Sequence, residues 1–124
     1  DVGRAVNPAL VEGQIYSGVS HGLGYVLMED IAVDEKGRIL NPGFTDYLVP
    51  TAADTPDIEA IIVEENEPTG PFGAKGCGEP PNVPAAPAIL NAIYDAVGVR
   101  IKSLPATPEK VLRALKEKGT ESKP

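Results

Sequence analysis

The sequence contains no tryptophan, one cysteine and one histidine, and aromatic residues make up only 5% of it. Each scarcity excludes something. With so few large aromatic side chains, the core must be aliphatic and alanine-rich. The lone Cys77 rules out an internal disulfide, and with His21 as the only histidine there is no Cys₄ or Cys₂His₂ metal site. A single thiol suits a reducing compartment, so a cytoplasmic location is expected. Positive charge is also short, with 11 Lys and Arg against 18 Asp and Glu, for a net charge of −7. That argues against a nucleic-acid partner or an anionic membrane surface, because both need clustered cations. No apolar run approaches the roughly 18 residues that span a bilayer, so no membrane helix is expected. Asp1-Val2-Gly3-Arg4 has neither the layout of a signal peptide nor an initiator methionine, and the chain is expected to be cut from something longer.

What is present is globular in composition, with 42% hydrophobic and 23% charged residues in 124. The expected organisation is one domain over residues 1–118 and a polar, flexible tail over 119–124. Asn7-Pro8 reads as a helix start, a cap followed by proline at the first helical position. Apolar spacings of three and four continue the helix to about Glu29, against the cost of Gly13, Gly18, Gly22 and Gly24. Gln14, Gly18 and Gly22 fall at i, i+4 and i+8, one stripe with an amide at one end and bare backbone along the rest. Such a stripe admits either a closely packed helix or a ligand against the backbone, hydrogen-bonded by Gln14. His21, without partner ligands, reads as a surface or packing residue.

Further along, Ile31–Leu40 reads as a hairpin about Lys36-Gly37, and Asp46–Pro50 as a short extended piece. Ile58–Glu64 is rich in β-branched residues and predicts a strand, and Val99–Leu104 alternates apolar and charged residues in the manner of a half-exposed one. Ala85–Val97 predicts a helix ended by Gly98, and Thr107-Pro108-Glu109 starts another that Gly119 should end. Helices and strands alternate without a clean βαβ repeat. The expected class is therefore α+β, a small mixed sheet packed with about three helices.

Chemistry is expected in Gly70–Pro81. Four glycines and three prolines in these twelve positions exclude regular structure and leave a shaped loop presenting Lys75 and Glu79. It is either a site for a catalytic carboxylate or a structural turn with two solvated charges. It is not a phosphate-binding P-loop: the lysine comes one position early, and Gly76 stands where a Ser or Thr would hold magnesium. Gly18–Gly24 lies within a helical pattern and gives no dinucleotide fingerprint, and no Gly-x-Ser-x-Gly elbow is present. Cys77 has no evident base beside it.

Taken together, Asp1-Val2-Gly3, Asn7-Pro8, Glu12-Gly13-Gln14, Gly22-Leu23-Gly24, Asp46-Tyr47, Pro50, Gly73-Ala74-Lys75-Gly76-x-Gly78-Glu79-Pro80-Pro81, Ala88-Ile89-x-Asn91-Ala92-Ile93 and Leu104-Pro105-Ala106-Thr107-Pro108-Glu109 form an ordered pattern over nearly the whole chain. It resembles the C-terminal part of the molybdenum-cofactor-binding subunit of the xanthine dehydrogenase, aldehyde oxidase and carbon monoxide dehydrogenase family of molybdenum hydroxylases. The resemblance implies that Glu79 is the general base of the hydroxylation and that Gln14 hydrogen-bonds the pterin of the cofactor. It implies also that the loop from Lys75 through Gly76, Cys77 and Gly78 lies against cofactor and substrate. The cofactor would be molybdopterin carrying molybdenum, alone or as a dinucleotide, with no protein ligand to the metal. The implied partners are the remainder of the subunit and iron–sulfur and FAD subunits or domains. By this reading the isolated chain supplies one wall of the site, binds no cofactor and turns nothing over. Its uncovered apolar face should self-associate. The competing expectation is a non-catalytic assembly or oligomerisation domain that keeps the fold.

Overall fold

The chain is described here, over residues 1–121, from a computed structural model. Three helices carry the architecture: α1 (Pro8–Leu27), α2 (Ala85–Val97) and α3 (Pro108–Glu121). Each begins or ends where local chemistry dictates. The Asn7 side chain accepts from the Leu10 N–H at 3.2 Å, and Pro8 follows it as the first helical residue. Gly98 ends α2 at φ +67, the left-handed conformation that a residue with a Cβ resists. Thr107 Oγ1 accepts from the Lys110 N–H at 3.4 Å at the start of α3. Gly119 does not stop α3, which runs through it to Glu121. Glycine ends a helix only when the chain turns away in a left-handed conformation, and inside a helix it is merely a weak former. The expected tail is therefore helical over 119–121, and 122–124 lie outside the described residues.

The glycine stripe of α1 is a packing surface. A Cβ at Gly18 would stand 2.7 Å from Pro81 Cβ, and one at Gly22 would stand 2.1 Å from Ala85 Cβ. The short helical turn Pro80–Asn82 and the first residues of α2 thus lie directly on the α1 backbone. At the far end of α1, the Val26 carbonyl accepts from the Ala106 N–H at 2.6 Å, which satisfies one orphan acceptor of the helix terminus. Val26, Val99 and Ala106 are the buried hydrophobic residues among those described, and only Val26 is completely enclosed.

The expected sheet is reduced to isolated bridges. The hairpin survives as one pair, Val33 with Ile39, its reversal made by Gly37 at φ +79. Asp46 and Tyr47 belong to a turn, their N–H groups donating to the Gly43 carbonyl at 3.1 and 2.9 Å, and residues 48–50 form no regular element. Ile58–Glu64 and Val99–Leu104 form no strand among the described residues. Yet Ile58, Ala60 and Ile62 are half-buried while Glu59, Ile61 and Val63 are exposed, the period of two that a strand would have. β-branched residues favour a pleated, partly covered surface, but a strand exists only when a neighbour takes its backbone groups. No neighbouring strand lies beside either segment among the described residues.

Candidate functional site

The glycine loop is held at both ends. Upstream, the first four residues run as a strap between Val63–Glu65 and Gly73–Lys75. The Val2 N–H donates to the Val63 carbonyl at 3.0 Å, the Lys75 N–H to the Val2 carbonyl at 2.9 Å, and the Arg4 N–H to the Gly73 carbonyl at 2.7 Å. Gly3 and Ala74 form an antiparallel bridge there. Gly3 has to be glycine, because at φ +62 a Cβ would stand 2.4 Å from the Gly73 carbonyl oxygen. Downstream, the Pro80–Asn82 turn sits on Gly18, with the Asn82 N–H donating to the Glu79 carbonyl at 2.9 Å.

Between these anchors lies Gly76-Cys77-Gly78. A Cβ at Gly76 would meet nothing within 4 Å, and one at Gly78 would meet only Gln14 Oε1, at 4.0 Å. The fold has therefore left this backbone bare on one side and brought the Gln14 amide beside it. Gln14, Lys75 and Cys77 line one cleft of about 210 Å³, with Val2 and Arg4 of the strap. Gly76 and Cys77 also line a second cleft of about 350 Å³, against Ile15, Val19 and Pro81. Cys77 is half-buried between the two.

Five of the six expected site residues thus gather around one stretch of loop and one helix face. The sixth, Glu79, follows directly after Gly78 but is exposed and lines neither cleft. Lys75 lines the first cleft, and its ammonium pairs with the Asp1 carboxylate. Among the described residues no group of three or more His, Cys, Asp or Glu could hold a metal ion, and no helix is long and apolar enough to cross a membrane.

Electrostatics near the loop are set by its approach. Glu67 is held below the ordinary carboxylate value of 4.5, first by the Thr69 hydroxyl, then by the Thr69 N–H, with a smaller contribution from the Lys75 charge. Those contacts, at 2.6 and 3.0 Å, close the turn that leads into Gly70. At the other end of α1 the Tyr47 hydroxyl donates to Glu29 at 2.5 Å, and this bond pushes the phenol above its usual 10.0.

Three residues escaped the sequence reading. Asp1 is the hub of the strap; Asp followed two positions later by glycine is a recognisable turn signal, since the Gly3 N–H donates to Asp1 Oδ1 at 2.9 Å. Phe72 is 81% exposed and lies at φ +56, a strained conformation that costs a residue with a Cβ about 1–3 kcal/mol. Its composition-level surroundings gave no hint of this. Asn82 holds its Oδ1 buried with no hydrogen-bond partner among the described residues, beside Gly22.

The chain matches known proteins over most of its length. The molybdopterin cofactor-binding domain family matches residues 1–56. The chain is 45% identical over 112 residues to a xanthine dehydrogenase molybdenum-binding subunit of Escherichia coli, covering 90% of this chain and 15% of that one. It is 42% identical over 118 residues to an aldehyde oxidoreductase of Megalodesulfovibrio gigas, covering 94% of this chain and 12% of that protein. It superposes on the crystal structure of quinoline 2-oxidoreductase from Pseudomonas putida with a TM-score of 0.87 and 36% identity, over 94% of this chain and 15% of that one. The chain therefore spans about 15% of the length of the first curated relatives it matches. Identity of 45% and 42% to these relatives over nine-tenths of the chain, together with the superposition, makes the chain a member of the xanthine dehydrogenase and aldehyde oxidase family of molybdenum hydroxylases, matching a part of their molybdenum-binding subunit.

Proposed function

We propose that the chain forms one wall of the molybdopterin site of an oxidoreductase of this family, with Glu79 as the base and Gln14 as a hydrogen-bonding partner of the pterin. The observation that carries this reading is the bare backbone of Gly76 and Gly78, with the Gln14 amide beside Gly78. A flat, polar organic group would lie there without displacing a side chain. The residues present fit such a group: an amide that can donate and accept, loop N–H groups, and, among the described residues, no ligand cluster competing for the metal. When bound, the cofactor would supply the two-electron redox chemistry. Gln14 and the loop backbone orient it, and Glu79 takes the proton that hydroxylation releases.

A carboxylate does this work well when enclosure weakens its hydration and makes it a stronger base. Glu79 is exposed in this chain, so its enclosure must come from a wall beyond it. We assign that wall to the remainder of the molybdenum-binding subunit. The Ile58–Glu64 and Val99–Leu104 segments, which form no strand among the described residues, would there gain neighbouring strands, completing the small mixed sheet. Electrons would leave through iron–sulfur and FAD partners, in the cytoplasm. By this reading the isolated chain holds no molybdenum and has no turnover, which elemental analysis after purification with cofactor present will check.

The test of the base is Glu79→Gln in the complete enzyme. Loss of hydroxylation by 10²-fold or more, with molybdenum content unchanged, is the expected result for a positioned general base. Unaltered turnover would instead support an assembly role. That second reading draws on a groove of about 820 Å³, lined by apolar residues that include Leu23, Leu27, Ile93, Leu112 and Leu115. Under either reading this face would drive self-association of the isolated chain.

A further inference from the structure

We propose that Asp1 is a positioning residue for the loop that carries Glu79, and that Lys75 serves the site as its tether rather than as a ligand to cofactor or substrate. The proposal rests on the reading of Glu79 as the base, and it concerns how that base is aimed. Asp1 is placed to do this because its carboxylate gathers three segments at once. Oδ1 accepts from the Gly3 N–H at 2.9 Å and from the Glu65 N–H at 3.2 Å, while Oδ2 pairs with the Lys75 ammonium. Strap, acidic edge and glycine loop therefore meet on one side chain.

The geometry shows why such a clamp matters. Downstream of Glu79 the chain is seated on Gly18 through Pro81 and Asn82. Upstream, the last residue with tertiary bonds is Lys75, through its N–H to the Val2 carbonyl at 2.9 Å and its ammonium to Asp1. The intervening Gly76-Cys77-Gly78 contains two glycines with almost nothing beside them. Two glycines give this span many accessible conformations, so the direction of Glu79 depends on how firmly both ends are held. Asp1 and Lys75 are each about one-third exposed, at 31% and 35% of their side chains. Water therefore screens their attraction, and the tether acts locally rather than as a major source of global stability.

The role of Lys75 follows from the same contacts. An ammonium already matched by a carboxylate has little charge left to offer a phosphate or an anionic substrate. The cleft it shares with Gln14 is consequently read by an amide and by backbone groups, not by a free cation.

The experiment compares Asp1→Asn, Lys75→Met, the double variant and the swapped pair Asp1→Lys with Lys75→Asp. Amide hydrogen exchange over residues 74–79 is followed in this chain. Each single variant should accelerate exchange there about five-fold, and the double variant no further, because both remove one interaction. Exchange in α1 should stay unchanged. The swap should recover part of the protection. In the complete enzyme, Asp1→Asn should lower kcat with KM and molybdenum content near their original values. If Lys75→Met loosens the loop while Asp1→Asn does not, or if the two effects add, the tether is refuted. A rise in KM or loss of cofactor in Lys75→Met, absent from Asp1→Asn, would make Lys75 a ligand and overturn its part of the proposal. Should either substitution prevent folding, Asp1→Glu and Lys75→Arg replace them, with retained charge and partial protection expected. A null result for Glu79→Gln would remove the base while leaving the exchange data to decide the tether separately.

Discussion

Two faces of α1 and its neighbours are built on opposite plans. On one, Gly18 and Gly22 let a turn and a second helix approach until only backbone separates them. On the other, Leu23 and Leu27 join Ile93, Leu112 and Leu115 around an open apolar groove. The first face is finished within the chain, and it is the one that seats the downstream end of the Glu79 loop. The second presents side chains that would ordinarily be covered, with Leu112 53% exposed. The difference teaches where precision resides. Close backbone contact fixes the loop that carries Glu79, while adaptable apolar area stays open.

The contrast predicts unequal responses to substitution. The largest effect is expected at Gly22. Alanine is the better helix former by about 1 kcal/mol, yet its Cβ would stand 2.1 Å from Ala85 Cβ. Overlap of this severity outweighs the propensity gain, so Gly22→Ala should destabilise, and Gly22→Val should cost about 3 kcal/mol or more in denaturant titration. Gly13 provides the control. Nothing lies within 4 Å of its Cβ position, and Gly13→Ala should stabilise by about 0.5–1 kcal/mol. A stable Gly22→Val chain would show that the glycine face is not a packing constraint.

A smaller effect on stability is expected in the groove. Leu112→Lys should change the unfolding free energy by less than about 1 kcal/mol, since half the side chain is already in water. The same substitution should shift light scattering of the chain towards the monomer. Strong destabilisation would mean that the groove is closed core and would remove the contrast.

The smallest expected effect lies at the loop entrance. Glu67 has its folded-state pKa depressed by Thr69. Its contribution is thus fully present above the unfolded value near 4.5 and is lost as pH falls through the lower folded one. Hydrogen exchange in the 67–70 turn should rise over that acid window, and Glu67→Gln should flatten the dependence. A turn equally protected on both sides of the window would exclude this contribution.

How much of this was legible in the sequence follows the range of the interactions. Helix starts and stops were readable at Asn7-Pro8, Gly98 and Thr107-Pro108, because a cap and the N–H or carbonyl it satisfies lie within one turn. The end of α3 was not, because Gly119 can stop a helix or sit within it, and composition does not choose. The glycine loop and Gln14 were likewise visible, as a shape that regular structure excludes and as a stripe that helical spacing aligns.

The sequence by itself determined three helices, a bare loop with an acid at its end, and membership of a family through motifs read in order. Only the tertiary structure decided that the glycine stripe packs against the chain's own turn, that Asp1 reaches Lys75 across 74 residues and Glu65 across 64, and that Ile58–Glu64 and Val99–Leu104 form no strand among the described residues. The reason is physical. Caps and turns are governed by neighbours along the chain, whereas a clamp or a sheet depends on groups far apart in sequence that only folding brings together.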